Sequence, residues 1–280
     1  MSRYAVLTII LLAALTPATI AQNVTPEQVF ALGFDADQKG AFEKGEIIST
    51  GYKELSDKEL ALFMAVLVPA PMEKVMEFSR SGENLKVNKD LLAHGTLEGD
   101  DIQGFLAGVK YEGAEVAEID KLLAVKPGSE FNLSAAEMER FAALRNKFGK
   151  GCSKDAACSR AVIGEYRSVL EGRLKAYQAG GLAAIEGYTR GSKSAEPSEE
   201  LKKAGEAAAL TKQAYPEIYN AIVNYPKGDQ SKLKSTFMWL KQNVQDRATF
   251  VLSHRMQFED KGLVLHVERQ FYVGQSYNSL

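Results

Sequence analysis

Along ATFVLSHRMQFEDKGLVLHVERQFYVG, residues 248–274, apolar and polar side chains alternate with the period of two that marks a half-buried strand. Glu259-Asp-Lys-Gly262 interrupts the alternation as a four-residue turn, with glycine last, where a positive φ is easiest. Setting Phe258 against Leu263 aligns the two arms of a hairpin. Phe250 then faces Phe271, Leu252 faces Arg269, His254 faces Val267 and Met256 faces Leu265. The reverse side pairs Val251 with Gln270, Ser253 with Glu268 and Arg255 with His266. A slip of one residue would scramble both faces, so the pattern resists it. Two polar residues break the apolar face: His254 and Arg269, predicted on diagonal neighbouring positions.

The same pattern predicts the remaining elements. TPEQVFALGF starts a short helix, with Thr25 as cap and Pro26 at the first helical position. ELALFMAVLV (59–68) reads as a buried strand closed by Pro69-Ala-Pro71. PMEKVMEFSR then places Met72, Val75, Met76 and Ser79 on one side of a helix. Residues 100–225 are predicted mostly helical. Ser134 with Glu137 forms a capping box, and Val162, Ile163, Tyr166, Val169, Leu170, Leu174 and Tyr177 recur at helical spacing. Beyond a polar connector, TRGSKSAEPSEE, further helices are expected over 198–215 and 216–225, and strands from 235 to 273. The predicted architecture is α+β, an antiparallel sheet of N- and C-terminal strands packed against the helical middle.

The first residues bear on compartment. Arg3, the apolar run Ala5 to Leu15 and the small-residue ending Thr19-Ile-Ala21 have the form of a cleaved secretory leader, residues 1–21. The run is too short to span a bilayer, and no later run approaches the roughly 18 apolar residues required. The expectation is a periplasmic or secreted protein of residues 22–280, about 259 residues, in one domain. In that setting Cys152 and Cys158, in GKGCSKDAACSR, form a small disulfide loop rather than a redox pair. Such a loop contributes roughly 2–3 kcal/mol at most.

A formal net charge of −2 and the lack of any concentrated basic run argue against a nucleic-acid partner. Asp35, Asp37 and Glu46 match carboxylate positions of a calcium loop, but Lys39 stands where an oxygen ligand belongs, so a polar turn feeding a strand is the better reading. His254 and His266 point to opposite faces, which with only His94 remaining disfavours a histidine metal site. SxxK at Ser231–Lys234 lacks its companion motifs, and no nucleophile–base pairing for a hydrolase is visible.

Arg269 therefore carries the functional question. A buried guanidinium costs several kcal/mol unless its hydrogen bonds are accepted. One solution is structural: Glu165, Glu186 or backbone carbonyls take them. The other is an apolar cavity in which Arg269 holds the anionic head of an amphipathic ligand, such as a lipid, beside His254.

FVLSHRM (250–256) and ERQFYVGQSYN (268–278), with YQAGGLAAIEGYTRG in the helical middle, resemble a group of uncharacterised exported bacterial proteins. That resemblance implies an exported protein of bacterial source and no mechanism. It also implies further strands beyond Leu280, so the chain reads as truncated at its C-terminus. The strand–PAP–helix unit is similar, over about twenty residues, to the opening of START-type helix-grip domains. The expected function is binding of a hydrophobic or amphipathic small molecule between sheet and helices. The alternatives are an envelope protein acting through protein contacts, or a hydrolase of unknown type. No cofactor is expected, and oligomeric state is not legible. N-terminal sequencing of the exported protein should begin at Gln22; a chain that retains Met1 or Ser2 would refute the leader.

Overall fold

A computed structural model describes residues 5–14, 26–31, 33–51, 59–260 and 263–275. The predicted cap Thr25, the cleavage site at Ala21, the turn residues Lys261 and Gly262, and Tyr277–Leu280 lie outside the described residues. In chain order the elements are β1 (Ala5–Ala14), α1 (Pro26–Phe30), α2 (Lys39–Glu43), β2 (Ile48–Gly51), β3 (Glu59–Val68), α3 (Met72–Arg80), β4 (Leu91–Thr96), α4 (Ile102–Ala107), α5 (Ala117–Leu123), α6 (Ala135–Phe148) and α7 (Ala156–Gly180). There follow β5 (Tyr188–Arg190), β6 (Lys193–Ala195), α8 (Pro197–Glu206), α9 (Ala209–Ala214), α10 (Pro216–Val223), β7 (Lys234–Val244), β8 (Arg247–Asp260) and β9 (Leu263–Val273).

This is the predicted α+β class. The large sheet runs β2-β3-β1-β9-β8-β7-β4, and β5-β6 make a separate two-stranded ribbon. The sheet is antiparallel except where β1 lies parallel to β3. The segment predicted as the leader core thus occupies β1, between β3 and β9. Its continuous apolar run suits a strand covered on both faces as well as it suits a leader. The expected connector 189–200 contains β5, β6 and the start of α8, and the single helix expected over 198–215 is broken. The break falls at Ala207-Ala208, where Ala208 has ψ 62°.

One face of the sheet packs on the helical middle. Val162, Tyr166, Val169, Leu170, Leu174 and Tyr177 of α7 share a core with Trp239, Phe250, Leu252, Phe271 and Tyr272. The capping box opens α6, with Ser134 Oγ accepting from Glu137 N–H at 3.3 Å and Glu137 Oε2 accepting from Ser134 N–H at 2.7 Å. Glu137 also pairs with buried Arg173 of α7, Oε1 to Nε 2.9 Å and Oε2 to Nη2 2.6 Å, which ties the two helices. Cys152 and Cys158 are bonded to each other across the start of α7. Asp120 of α5 anchors that loop by accepting from the N–H groups of Cys152 and Ser153.

The reverse face, which alternation leaves polar, is also covered. Arg255, Gln257 and His266 are each at most 3 % exposed. They lie beneath α3 and the 3-10 turn Glu83–Val87 that follows it. Arg255 donates to Glu268 Oε2 at 3.0 Å, to the Ser79 carbonyl at 2.8 Å and to Asn84 Oδ1 at 3.1 Å. Gln257 Nε2 reaches the Met76 carbonyl at 3.3 Å, and His266 Nδ1 lies 3.0 Å from Ser79 Oγ. Ser79, predicted on one side of α3 with Met72, Val75 and Met76, thus meets the polar sheet face through both its hydroxyl and its carbonyl. Replacing Arg255 by methionine leaves Glu268 without its cation and the Ser79 carbonyl and Asn84 Oδ1 without this donor, so urea unfolding should show a loss of about 3 kcal/mol or more.

Candidate functional site

The two exceptions on the apolar face come together, more closely than predicted. β8 and β9 pair Asp260 with Leu263, Phe258 with Leu265, Met256 with Val267 and His254 with Arg269. The register lies two residues beyond the predicted one, so His254 and Arg269 are direct cross-strand partners rather than diagonal neighbours. The shift is even, so each side chain near the pair keeps its predicted face. Past Ser253 a bulge intervenes, and Leu252 pairs with Tyr272. The row His254–Arg269 divides the apolar face in two: Phe250 and Leu252 belong to one core cluster, Met256, Phe258, Leu265 and Val267 to another.

Both side chains are buried, His254 fully and Arg269 to 3 % exposure. The group that joins them was missed from sequence. Tyr177, on the inner face of α7, places its hydroxyl 3.0 Å from Arg269 Nη1 and 3.0 Å from His254 Nδ1. Helical spacing places Tyr177 on the buried face without showing what its hydroxyl meets. Because its oxygen accepts from Arg269, its proton is directed to His254 Nδ1. The network therefore assigns the imidazole proton to Nε2, which donates to Ser235 Oγ at 2.9 Å. Rings on three sides hold this arrangement: Phe237 stacks on His254 at 4.5 Å, Tyr225 lies 4.6 Å from it, and Phe271 stacks on Tyr177 at 4.1 Å.

Burial first, and the adjacent Arg269 second, hold the pKa of His254 well below the ordinary histidine value. Burial likewise raises Tyr177, against the opposing pull of Arg269, and pushes Tyr225 up to about 12. His254 is thus a neutral imidazole with its Nε2 proton already pointing at Ser235. A base for that hydroxyl would need a free Nε2 lone pair and a carboxylate behind Nδ1. Here a phenol and a cation stand behind Nδ1, so the Ser235–His254 contact is not built as a nucleophile–base pair.

Arg269 has no carboxylate partner among the described residues. Glu165 pairs instead with Arg140 at 3.1 Å, and Glu186 offers only its carbonyl, to Arg173. The second acceptor for Arg269 is the Ile222 carbonyl of α10, 3.0 Å from Nη2. Two of five guanidinium N–H groups are accounted for. The side chain lines a small cavity, with room for about one water, between β9 and helices α8 to α10. Its other walls are Leu201, Ala204, Gly205, Ala208, Thr211, Tyr219, Ile222, Val223 and Val267. The break between α8 and α9 places Ala204 and Gly205 from one helix and Thr211 from the next around one space. His254 does not line it; its part is to hold Tyr177.

No group of three or more His, Cys, Asp or Glu among the described residues is arranged to hold a metal ion. Asp35, Asp37 and Glu46 are exposed around the short helical segments 36–38 and 39–43, and the exit strand β2 follows as predicted. Among the described residues no helix is long and apolar enough to cross a membrane. No protein-family model, curated protein or solved structure matches the chain.

The histidines predict a pH dependence. Burial, and then Arg255, depress His266 to about 4, against the opposing effect of Glu268. With both folded-state values below the unfolded value near 6.5, the unfolded chain binds more protons in between. The stability is complete above about pH 6.5 and is lost as pH falls, by up to about 1.4 kcal/mol per pH unit for each histidine. Urea titrations at pH 7, 6 and 5 should show this decline, and His266→Gln should remove its share of the slope down to about pH 4.

Proposed function

We propose that this protein is exported, with its leader removed after Ala21, and binds an amphipathic small molecule between β9 and helices α8 to α10. The observation that carries the reading is a buried guanidinium, Arg269, that has no carboxylate partner among the described residues and lines a small, mainly apolar cavity. An unpaired charge in such a place is held at a cost, and a ligand anion would supply the missing acceptor. Tyr177 and the Ile222 carbonyl orient the fork, and His254, neutral beside it, adds no competing charge. Cleavage after Ala21 would also remove β1 from beside β9, where Ile9 pairs with Val267. The mature site would then be bordered by an unpaired stretch of β9 or by β3 moved against it. The disulfide between Cys152 and Cys158 accords with a compartment outside the cytoplasm.

Arg269→Met tests the reading by the sign of its effect. Removing an uncompensated buried charge should leave the ligand-free protein equally stable or stabilise it by about 1–3 kcal/mol. It should also abolish the co-purified small molecule that native mass spectrometry detects with the exported wild-type protein. A destabilised, ligand-free variant alongside a ligand-free wild type would make Arg269 structural and favour a role in protein contacts.

A further inference from the structure

The leader segment has a place in the sheet that its removal would empty. β1 lies between β3 and β9, parallel to the first and antiparallel to the second. α3 lies against it on the face of His266, and α8 on the face of Val267. Taking residues 1–21 away would leave two strand edges facing each other across one strand's width, covered on both sides by helices. Backbone N–H and C=O groups in such a place need partners, because little water reaches them.

The two edges fit each other. β3 and β9 run antiparallel, so residues level across the gap share a face and direct their backbone groups toward one another in phase. Ile9 is level with both Phe63 and Val267, Leu11 with Ala65 and Leu265, and Leu12 with Val66 and Val264. Phe63, Ala65, Leu265 and Val267 already belong to one apolar cluster, so closing the gap keeps their side and brings them nearer. The movement is one strand spacing, about 4.8 Å. The piece that must move holds together by itself: β2, at the edge of the sheet, pairs with β3, and the Phe34 ring lies 5.2 Å from the Phe63 ring. Closure also exchanges a parallel pairing for an antiparallel one, the slightly more stable of the two per residue.

We infer that, once the leader is cleaved, β3 closes on β9 in this register and makes the large sheet of the mature protein wholly antiparallel. This rests on the leader removal proposed above and is independent of any bound molecule. The test compares the exported protein beginning at Gln22 with a form that keeps its leader through Ala21→Tyr, which removes the small residue at the cleavage site. Each form carries either Ala65→Cys with Leu265→Cys or Val66→Cys with Val264→Cys. Neighbouring levels alternate between wide and close pairs, so one of the two suits a disulfide. In the mature form that pair should lose both new thiols on mild oxidation. With the leader retained, the same positions stand two strand spacings apart, about 9.5 Å, and should keep them. Hydrogen exchange of the unsubstituted mature protein checks the result without a variant: amides of 62–67 and 263–268 should exchange only with global unfolding. Free thiols in the mature form would overturn the closure, with rapid exchange marking an open gap and a raised native mass marking a strand supplied by a peptide or a second copy. Cross-linking in both forms would overturn it as well. An exported protein that begins at Met1 or Ser2 would instead refute the leader removal itself and make β1 a permanent strand.

Discussion

A single cation inside an apolar sheet face organises this protein. Arg269 cannot be left bare in that position, because an unsatisfied guanidinium in a low-dielectric interior costs more than most folds can spare. The chain meets part of the requirement with neutral groups, a tyrosine hydroxyl and a helix carbonyl, and leaves the rest facing a cavity. Neutral acceptors orient the fork without neutralising it.

The surroundings of Arg269 are ordered around the same constraint. Tyr177 is shared between Arg269 and His254, so the imidazole is held in one tautomer and kept uncharged next to the guanidinium. Phe237, Tyr225 and Phe271 enclose the pair with rings, which excludes water and strengthens each hydrogen bond. On the opposite face the same strands solve the same problem differently. Arg255 there has a carboxylate, Glu268, at 3.0 Å and two further acceptors, all from the protein. Two buried arginines on adjoining strands are thus satisfied differently, one by a carboxylate and the other by neutral groups.

Much of the fold was legible because period-two and period-3.6 patterns are local. The strand 59–68, the helix after Pro71, the capping box at Ser134, the long helix ending near Tyr177 and the terminal hairpin all follow from residues within a few positions of one another. The hairpin register shows where this stops. Moving the pairing by two residues leaves every side chain on its face, so alternation cannot separate His254 opposite Val267 from His254 opposite Arg269. The burial of Arg255, Gln257 and His266 was hidden for a related reason. A polar face reads as solvated until a helix from elsewhere in the chain brings acceptors to it, as Ser79 and Met76 of α3 do.

The sequence by itself determined the α+β class, the position of the disulfide, and the identity of the two residues that do not belong on a greasy face, since each depends on spacing along one stretch of chain. Tertiary structure alone decided that these two residues are opposite one another, that Tyr177 joins them from 77 residues before His254 and 92 before Arg269, and that Arg269 lines a cavity instead of meeting a carboxylate. Those facts depend on which distant segments meet. No local pattern encodes the partner of a buried charge, because the partner is selected by packing in three dimensions.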